Sequence, residues 1–109
     1  MDLFNVAEML AQRPEGVHTY EDFFASSLLS VGLSVWPAGL PDTQSPHAED
    51  EVYHVVSGRG RIQVADEDEA VGPGSVIFVA TGVPHHFFDI TEDLHVLVFW
   101  APPHRAEAR

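Results

Sequence analysis

The sequence predicts an all-β fold, an antiparallel sandwich or barrel, in one domain. Short stretches that alternate between apolar and polar residues recur along the chain, and glycine and proline residues separate them. No internal repeat or linker divides these stretches. At 109 residues, the chain is long enough for one modest hydrophobic core. We therefore expect a single domain over residues 1–109, with the barrel at about 20–101.

The first element predicted is a short N-terminal helix. Asn5 is a good N-cap residue, and Glu8 stands three positions later, as in a capping box. The residues 14–16, which include proline and glycine, end the helix. Three apolar side chains would then face the body of the protein: Val6, Met9 and Leu10.

Residues 23–36 alternate with a period of two, which predicts one or two half-buried strands. A helix is disfavoured because the small polar residues do not gather on one helical face. One strand face is apolar and carries Phe23, Ala25, Leu29, Val31, Leu33 and Val35. The other face carries Ser26, Ser30, Gly32 and Ser34, interrupted by Phe24, Leu28 and Trp36.

The second half of the chain predicts further short strands joined by turns. Residues 58–61 contain two glycines and no following helix, which indicates a hairpin turn. The four acidic residues 66–69 are typical of a solvated hairpin tip, because they lack the glycine and ligand spacing of a calcium loop. Strands are expected at 61–65, 75–79, 85–90 and 94–100.

His47 and Glu51 form the most informative pair in the sequence. In a continuous strand they would lie about 13 Å apart, too far to share an ion. The intervening residues 48–50 are small or acidic and predict a three-residue turn. His47 would then end one strand and Glu51 would open its antiparallel neighbour, with Cβ atoms about 5 Å apart. Such a spacing suits a shared metal ion.

Two motifs resemble those of the cupin family. The run His47-x3-Glu51-x6-Gly58 resembles the first motif, G-x5-H-x-H-x3,4-E-x6-G. The run Gly74-x5-Ala80-x-Gly82-x2-His85-x3-Asp89 resembles the second, G-x5-P-x-G-x2-H-x3-N, and matches it in spacing throughout. The first motif departs further, because Ser45 stands where the family has its first metal-binding histidine, and Gly39 lies one position early. The resemblance implies a small single-domain cupin with a jelly-roll β-barrel.

The resemblance also implies a metal site formed by His47, Glu51 and His85. Two imidazoles and one carboxylate suit a divalent transition metal such as Fe, Mn, Zn or Ni, and leave coordination positions open. The hydroxyl of Ser45 is a poor ligand, which leaves either a site with three protein ligands or one that has lost its metal. The carbonyl of Gln44 is a further candidate donor, although its side chain points opposite to that of Ser45 in an extended strand. The candidate substrate pocket comprises Gln44, Ser45, Tyr53 and Phe87, of which the two aromatic residues are equally well explained as core.

The remaining histidines have simpler interpretations. His86 and His54 fall on the opposite strand face from His85 and Glu51, respectively, and we expect both outside the site. His95 is expected to be a hydrogen-bonded structural residue. His18 and His104 are predicted to lie in a loop and in the C-terminal tail.

The composition argues against several kinds of binding partner and site. The net charge of −12 and the scarcity of basic residues argue against nucleic-acid and anionic-membrane binding. No cysteine is present, so disulfides, thiolate nucleophiles and zinc–thiolate sites are excluded. No secretion signal is recognisable, so we expect a cytoplasmic protein. A homodimer that pairs through the strand at 23–36 is also expected, because pairing would cover an exposed edge.

Two classes of function follow from these residues. The first is a metal-dependent enzyme, an oxygenase-type enzyme acting on a small organic molecule, or a zinc- or nickel-dependent isomerase. No separate catalytic residue is identifiable. The second is a non-catalytic module that binds a small molecule for sensing, storage or regulation, which the loss of a histidine at Ser45 favours.

Overall fold

A computed structural model describes residues 1–42 and 44–105 of the chain. It contains one helix, α1 (Val6–Ala11), and six strands: β1 (Thr19–Ala25), β2 (Ser30–Trp36), β3 (Asp50–Val64), β4 (Glu67–Val71), β5 (Val76–Val79) and β6 (His85–Ala101). The strands pair antiparallel in the order β1–β2–β6–β3–β4, and β5 pairs with β3. The predicted all-β antiparallel barrel with a short N-terminal helix is confirmed.

The helix begins where the sequence predicts. The side-chain oxygen of Asn5 accepts a hydrogen bond from the backbone N–H of Glu8 at 2.9 Å, which satisfies one of the free donors of the first turn. Val6, Met9 and Leu10 are each half-buried. Among the described residues, no helix is long and apolar enough to cross a membrane.

The stretch predicted as one or two half-buried strands forms two strands, β1 and β2, which pair with each other. The prediction of half-burial is wrong for β2, because Leu33 and Ser34, which point to opposite faces, are 0% and 1% exposed. β2 also lies between β1 and β6 in the sheet. It is therefore not an edge strand, and β1 occupies the edge instead.

β3 is a single strand of 15 residues, so the hairpin turn predicted at 58–61 is wrong. Its pairing with β6 shifts register between Val55 and Arg61, which marks a series of bulges. Gly58 has φ +95°, and a Cβ atom at this position would lie 2.0 Å from the carbonyl oxygen of Asp93. Glycine therefore lets the bulged strand continue past β6 where another residue would clash.

Two further strand predictions need correction. The acidic residues predicted as a hairpin tip lie mostly within β4, which starts at Glu67, and the turn before it falls at Ala65 and Asp66. The two strands predicted at 85–90 and 94–100 are one continuous strand, β6. The irregular register that lets β6 follow the bulges of β3 is not visible as a pattern in the sequence.

The core is built around aromatic side chains. The Trp36 ring lies 4.8 Å from that of Phe87, and the Phe87 ring lies 5.1 Å from that of Tyr53, measured between centroids. All three side chains belong to the buried cluster that the strands enclose. These contacts fix one wall of the barrel interior.

Candidate metal centre

His47 lies outside regular secondary structure, just before β3. The prediction that it ends a strand paired with the one that Glu51 opens is therefore wrong. Three hydrogen bonds instead attach its loop to the turn before His85. Gly82 N–H donates to the His47 carbonyl at 2.8 Å, Thr81 Oγ1 to the Ala48 carbonyl at 2.5 Å, and Thr81 N–H to Asp50 Oδ1 at 2.8 Å. These bonds bring two segments that are far apart in sequence to the same end of the barrel.

Glu51 and His85 are positioned by strands. Glu51 is the second residue of β3, where Val79 of β5 and Trp100 of β6 pair with it on either side. His85 is the first residue of β6. Since both side chains are 1% exposed, a carboxylate and an imidazole are enclosed together in the barrel interior.

The three predicted ligands converge. One ligand atom each from His47, Glu51 and His85 lies within 4.8 Å of the others, the one such group found among the described residues. His85 Nε2 lies 2.7 Å from Glu51 Oε1. Two ligands at about 2.1 Å from one ion, at roughly right angles, would be separated by about 3 Å. The spacing of His85 and Glu51 therefore fits a shared ion, and it is equally that of a hydrogen bond when Nε2 carries a proton.

The protonation of His85 decides which of its ring nitrogens can bind an ion. Its Nδ1 lies 2.8 Å from the Val83 carbonyl, which can only accept, so Nδ1 carries a proton and donates. In the neutral ring, Nε2 then presents a lone pair to the Glu51 carboxylate. Nε2 of His85 and both oxygens of Glu51 are buried without a hydrogen bond of normal geometry within the described chain. Such an arrangement requires a cation, either a proton or a metal ion.

The pKa of His85 reflects this environment. Burial acts to lower the pKa, but hydrogen bonding to Glu51 and to the Val83 carbonyl, with the charge of Glu51, raises it above its ordinary value of 6.5. In the metal-free protein, His85 therefore holds a proton more tightly than a free imidazole does. Metal binding must displace that proton.

Gln44 links the cluster to the barrel wall. Its Oε1 lies 3.1 Å from His47 Nε2 and accepts a hydrogen bond from the Tyr53 hydroxyl at 3.3 Å. Its Nε2 donates to Asp42 Oδ2 at 2.7 Å, and that oxygen also accepts from the backbone N–H of Phe87 at 2.8 Å. Asp42 thus holds the amide so that its oxygen faces the site. Burial and the nearby Glu51 raise the pKa of Tyr53, which keeps its hydroxyl protonated and able to donate.

A cavity of about 140 Å³ adjoins the cluster inside the barrel. Its wall is mostly aromatic and consists of His18, Tyr20, Ser34, Trp36, Gln44, His47, Tyr53, Val98, Trp100 and His104. Two of the four predicted pocket residues, Gln44 and Tyr53, line it. Ser45 is exposed, and Phe87 packs in the core against Trp36 and Tyr53. A larger groove of about 370 Å³ lies between β4 and β5 but includes none of the three candidate ligands.

Two histidines assigned to loop and tail from the sequence line this pocket. The His18 ring stacks on Trp36 at 5.0 Å, and the His104 ring stacks on Trp100 at 4.1 Å. His104 is anchored further, because its N–H donates to Ser30 Oγ at 2.8 Å and its Nδ1 lies 2.9 Å from Asp22 Oδ2. No local pattern could have identified them, since both come from segments outside regular strands that fold back over the barrel.

The other histidines lie away from the cluster. His95 is in β6, with its Nδ1 2.6 Å from Ser57 Oγ. His86 follows His85 on the opposite face of β6, and His54 is three residues beyond Glu51 in β3. Neither belongs to the group of candidate ligands.

Sequence comparison identifies relatives of the chain. The model of the cupin domain matches residues 33–101. An uncharacterized protein of Streptomyces coelicolor, SCO3923, is 47% identical over 103 residues, which cover 94% of this chain and 98% of that protein.

Structural comparison agrees at the level of the fold. TT1209 from Thermus thermophilus superimposes with a TM-score of 0.78 at 22% identity, over 94% of this chain and 99% of that one. The DMSP lyase DddQ from Ruegeria pomeroyi superimposes with a TM-score of 0.72 at 24% identity, over 77% of this chain but 46% of that one. With the family model covering more than half of its length, the chain belongs to the cupin domain family.

Proposed function

We propose that this cupin binds one divalent transition-metal ion through His47, Glu51 and His85 and catalyses an oxygenase-type reaction on a small organic molecule. One observation carries the proposal: the buried Glu51 carboxylate lies 2.7 Å from Nε2 of the buried His85 imidazole, and neither group has a hydrogen bond of normal geometry there within the described chain. A nitrogen and oxygen donor set of this kind suits Fe, Mn, Zn or Ni. When bound, such an ion supplies Lewis acidity and open coordination positions for substrate and dioxygen.

The protein residues prepare the site for the ion. Val83 fixes the orientation of the His85 ring by accepting from Nδ1, which directs Nε2 towards Glu51. Gln44 lies at hydrogen-bonding distance from His47 and is itself held by Asp42. Glu51 contributes the negative charge that a divalent ion requires. Ser45 is exposed, so the set has three ligands where the family motif has four.

The adjoining pocket gives the substrate a place next to the ion. Gln44, His47 and Tyr53 belong to its wall, so a molecule bound there would lie beside a candidate ligand. The remaining wall is mainly aromatic, which excludes water from the reacting atoms. The Tyr53 hydroxyl, kept protonated by burial, serves as a hydrogen-bond donor within the site and not as a base.

The test loads metal-free protein separately with Fe(II), Mn(II), Zn(II) and Ni(II) and measures oxygen consumption against a panel of small phenols, enols and diketones. The proposal expects metal-dependent consumption that disappears in Glu51→Gln. Conversion of a substrate to its isomer without oxygen consumption would instead indicate the zinc- or nickel-dependent isomerase. DddQ, a lyase, shares the fold, so elimination reactions belong in the same screen.

A non-catalytic binding module is the second candidate, favoured by the exposed Ser45 in place of a ligand histidine. This candidate predicts that a small molecule raises the melting temperature without being converted. Metal-dependent turnover of any compound on the panel would reject it.

A further inference from the structure

We propose that the pocket beside the metal centre selects a single planar ring without negative charge, and that phenols are its ligand class. This inference rests on the proposed function, because it names the substrate class of the same site. The size, the wall and the charge of the pocket each support it.

The volume limits the ligand to about one ring. The cavity measures about 140 Å³. A buried cavity of about 150 Å³ is known to accommodate one benzene molecule. A six-membered ring with one or two small substituents therefore fits, whereas a fused two-ring system requires the walls to move.

The wall is suited to a flat face. Trp36 and Trp100 both line the cavity, and each stacks on an imidazole that also belongs to the wall, at an interplanar angle of 13°. The Trp100 indole is held further, because its Nε1 donates to the Tyr20 hydroxyl at 2.7 Å. Fixed aromatic walls favour aromatic ligands through offset or edge-to-face contacts.

The charge disfavours anions. Among the residues that the structure describes, the wall contains no lysine or arginine. Burial lowers the pKa of His18, against a smaller opposing effect of Asp42, so this imidazole is neutral. His104 lies beside the carboxylate of Asp22. In the metal-free protein, a ligand carboxylate would therefore lose its hydration without gaining a fixed positive charge from the described wall.

The polar groups match a hydroxyl. Gln44 Oε1 is an acceptor in the wall, and its amide nitrogen is already engaged by Asp42. Gln44 Oε1 lies 3.1 Å from His47 Nε2 and accepts from the Tyr53 hydroxyl at 3.3 Å, so a phenol hydroxyl near His47 would replace one of these partners when it donates to Gln44 Oε1. The pocket therefore binds the ring at its aromatic walls and the hydroxyl at its metal end.

Intrinsic fluorescence tests the inference directly, because the only two tryptophans of the chain are Trp36 and Trp100. Metal-free protein is titrated with phenol, benzamide and benzoate at neutral pH. Benzamide and benzoate have nearly the same shape and differ in charge. We expect saturable quenching by phenol and benzamide, with benzoate binding at least about tenfold more weakly.

Two variants locate the binding. Ser34→Leu places a larger side chain in the wall and should abolish the saturable quenching, whereas Thr91→Leu, an exposed substitution in β6, should leave it unchanged. Circular dichroism checks that both remain folded. If Ser34→Leu unfolds, Trp36→Phe keeps an aromatic wall with Trp100 as the remaining reporter, and should retain the preference for benzamide over benzoate.

The outcomes separate this inference from the proposed function, since metal binding is measured independently by calorimetry. If phenol binds more tightly than benzoate to a protein that takes up no metal, the result supports the inference and rejects the proposed metal site. Tight metal binding with benzoate equal to or tighter than benzamide in the metal-free protein overturns the inference alone. If none of the three compounds gives saturable quenching, the inference is also overturned.

Discussion

His85 Nε2 lies 2.7 Å from Glu51 Oε1, with both side chains buried in the barrel interior. The carbonyl of Val83 fixes the proton of His85 on Nδ1, so the two facing atoms both carry lone pairs when the ring is neutral. A proton or a metal ion between the two atoms removes the repulsion between their lone pairs. The relationship accounts for the proposed metal site and for its expected pH dependence.

Replacing His85 by glutamine should weaken metal binding by roughly a hundredfold or more, because the site loses one of three ligands. The matched control is His86→Gln, which alters the adjacent residue on the opposite face of β6. Isothermal titration calorimetry with Mn(II) or Zn(II) measures both. Equal affinities in the two variants would show that His85 is not a ligand.

The pH dependence should have opposite signs in the two forms of the protein. A raised His85 pKa stabilises the metal-free fold below 6.5, and that contribution is lost as pH rises through the higher folded value. Metal competes with the proton, so metal affinity should fall by about tenfold per pH unit below the folded pKa. Urea unfolding of metal-free wild type and His85→Gln isolates the first effect, and calorimetry across pH gives the second. A stability difference that grows with pH would contradict the assignment.

Gln44→Ala should weaken metal affinity by about tenfold while leaving the fold intact. The amide lies at hydrogen-bonding distance from His47, and such outer partners orient a ligand ring. Gln63→Ala is the control, because this amide bonds to the Ala65 carbonyl at the far end of β3. Metal titration of both variants checks the difference. Unchanged metal affinity in Gln44→Ala would show that Gln44 does not support metal binding.

Gly58→Ala should destabilise the protein more than Gly74→Ala. Both glycines have positive φ, +95° and +93°, so both substitutions introduce backbone strain of about 1–2 kcal/mol. At Gly58 the added Cβ also meets a backbone oxygen, that of Asp93, whereas at Gly74 no atom of the described residues lies within 4 Å of it. We expect an additional loss of about 2 kcal/mol in the free energy of unfolding. Chemical denaturation measures it, and equal losses would refute the close approach at the bulge.

The homodimer stays a prediction, but the strand expected at its interface is now β1. β2 lies inside the sheet, whereas β1, the other strand of the N-terminal pair, lies at one end of the strand order. Pairing of β1 with its copy would cover exposed backbone groups. Light scattering should give twice the 12.0 kDa of one chain. The mass of a single chain across the whole concentration range would exclude the dimer.

The sequence predicts the fold and the three candidate ligands for a clear reason. Alternation, turn residues and motif spacing are local features, and His85 keeps its place after the turn at Thr81 and Gly82. The contacts that bring His47 to the other two ligands are not local in the sequence. His47 reaches the site through hydrogen bonds between its loop and that turn, not through the strand pairing that its spacing with Glu51 indicates.

The pocket wall is harder to predict, because it is assembled from distant segments. Trp36 and Ser34 share a face that looks polar in the sequence, yet that face of β2 lines the interior. His18 and His104 lie outside the strands and reach the pocket by stacking on the two tryptophans. The bulges near Gly58 also break the alternation on which assignments of strand faces depend.

The most direct test of the central claim is the metal content of untagged protein after incubation with Mn(II), Fe(II), Zn(II) or Ni(II) and removal of unbound ions. Elemental analysis should find one ion per chain in the wild type and in His86→Gln, and a loss of nearly all of it in Glu51→Gln. Full metal content in Glu51→Gln, or none in the wild type with any of these ions, would contradict the claim that His47, Glu51 and His85 hold a metal ion.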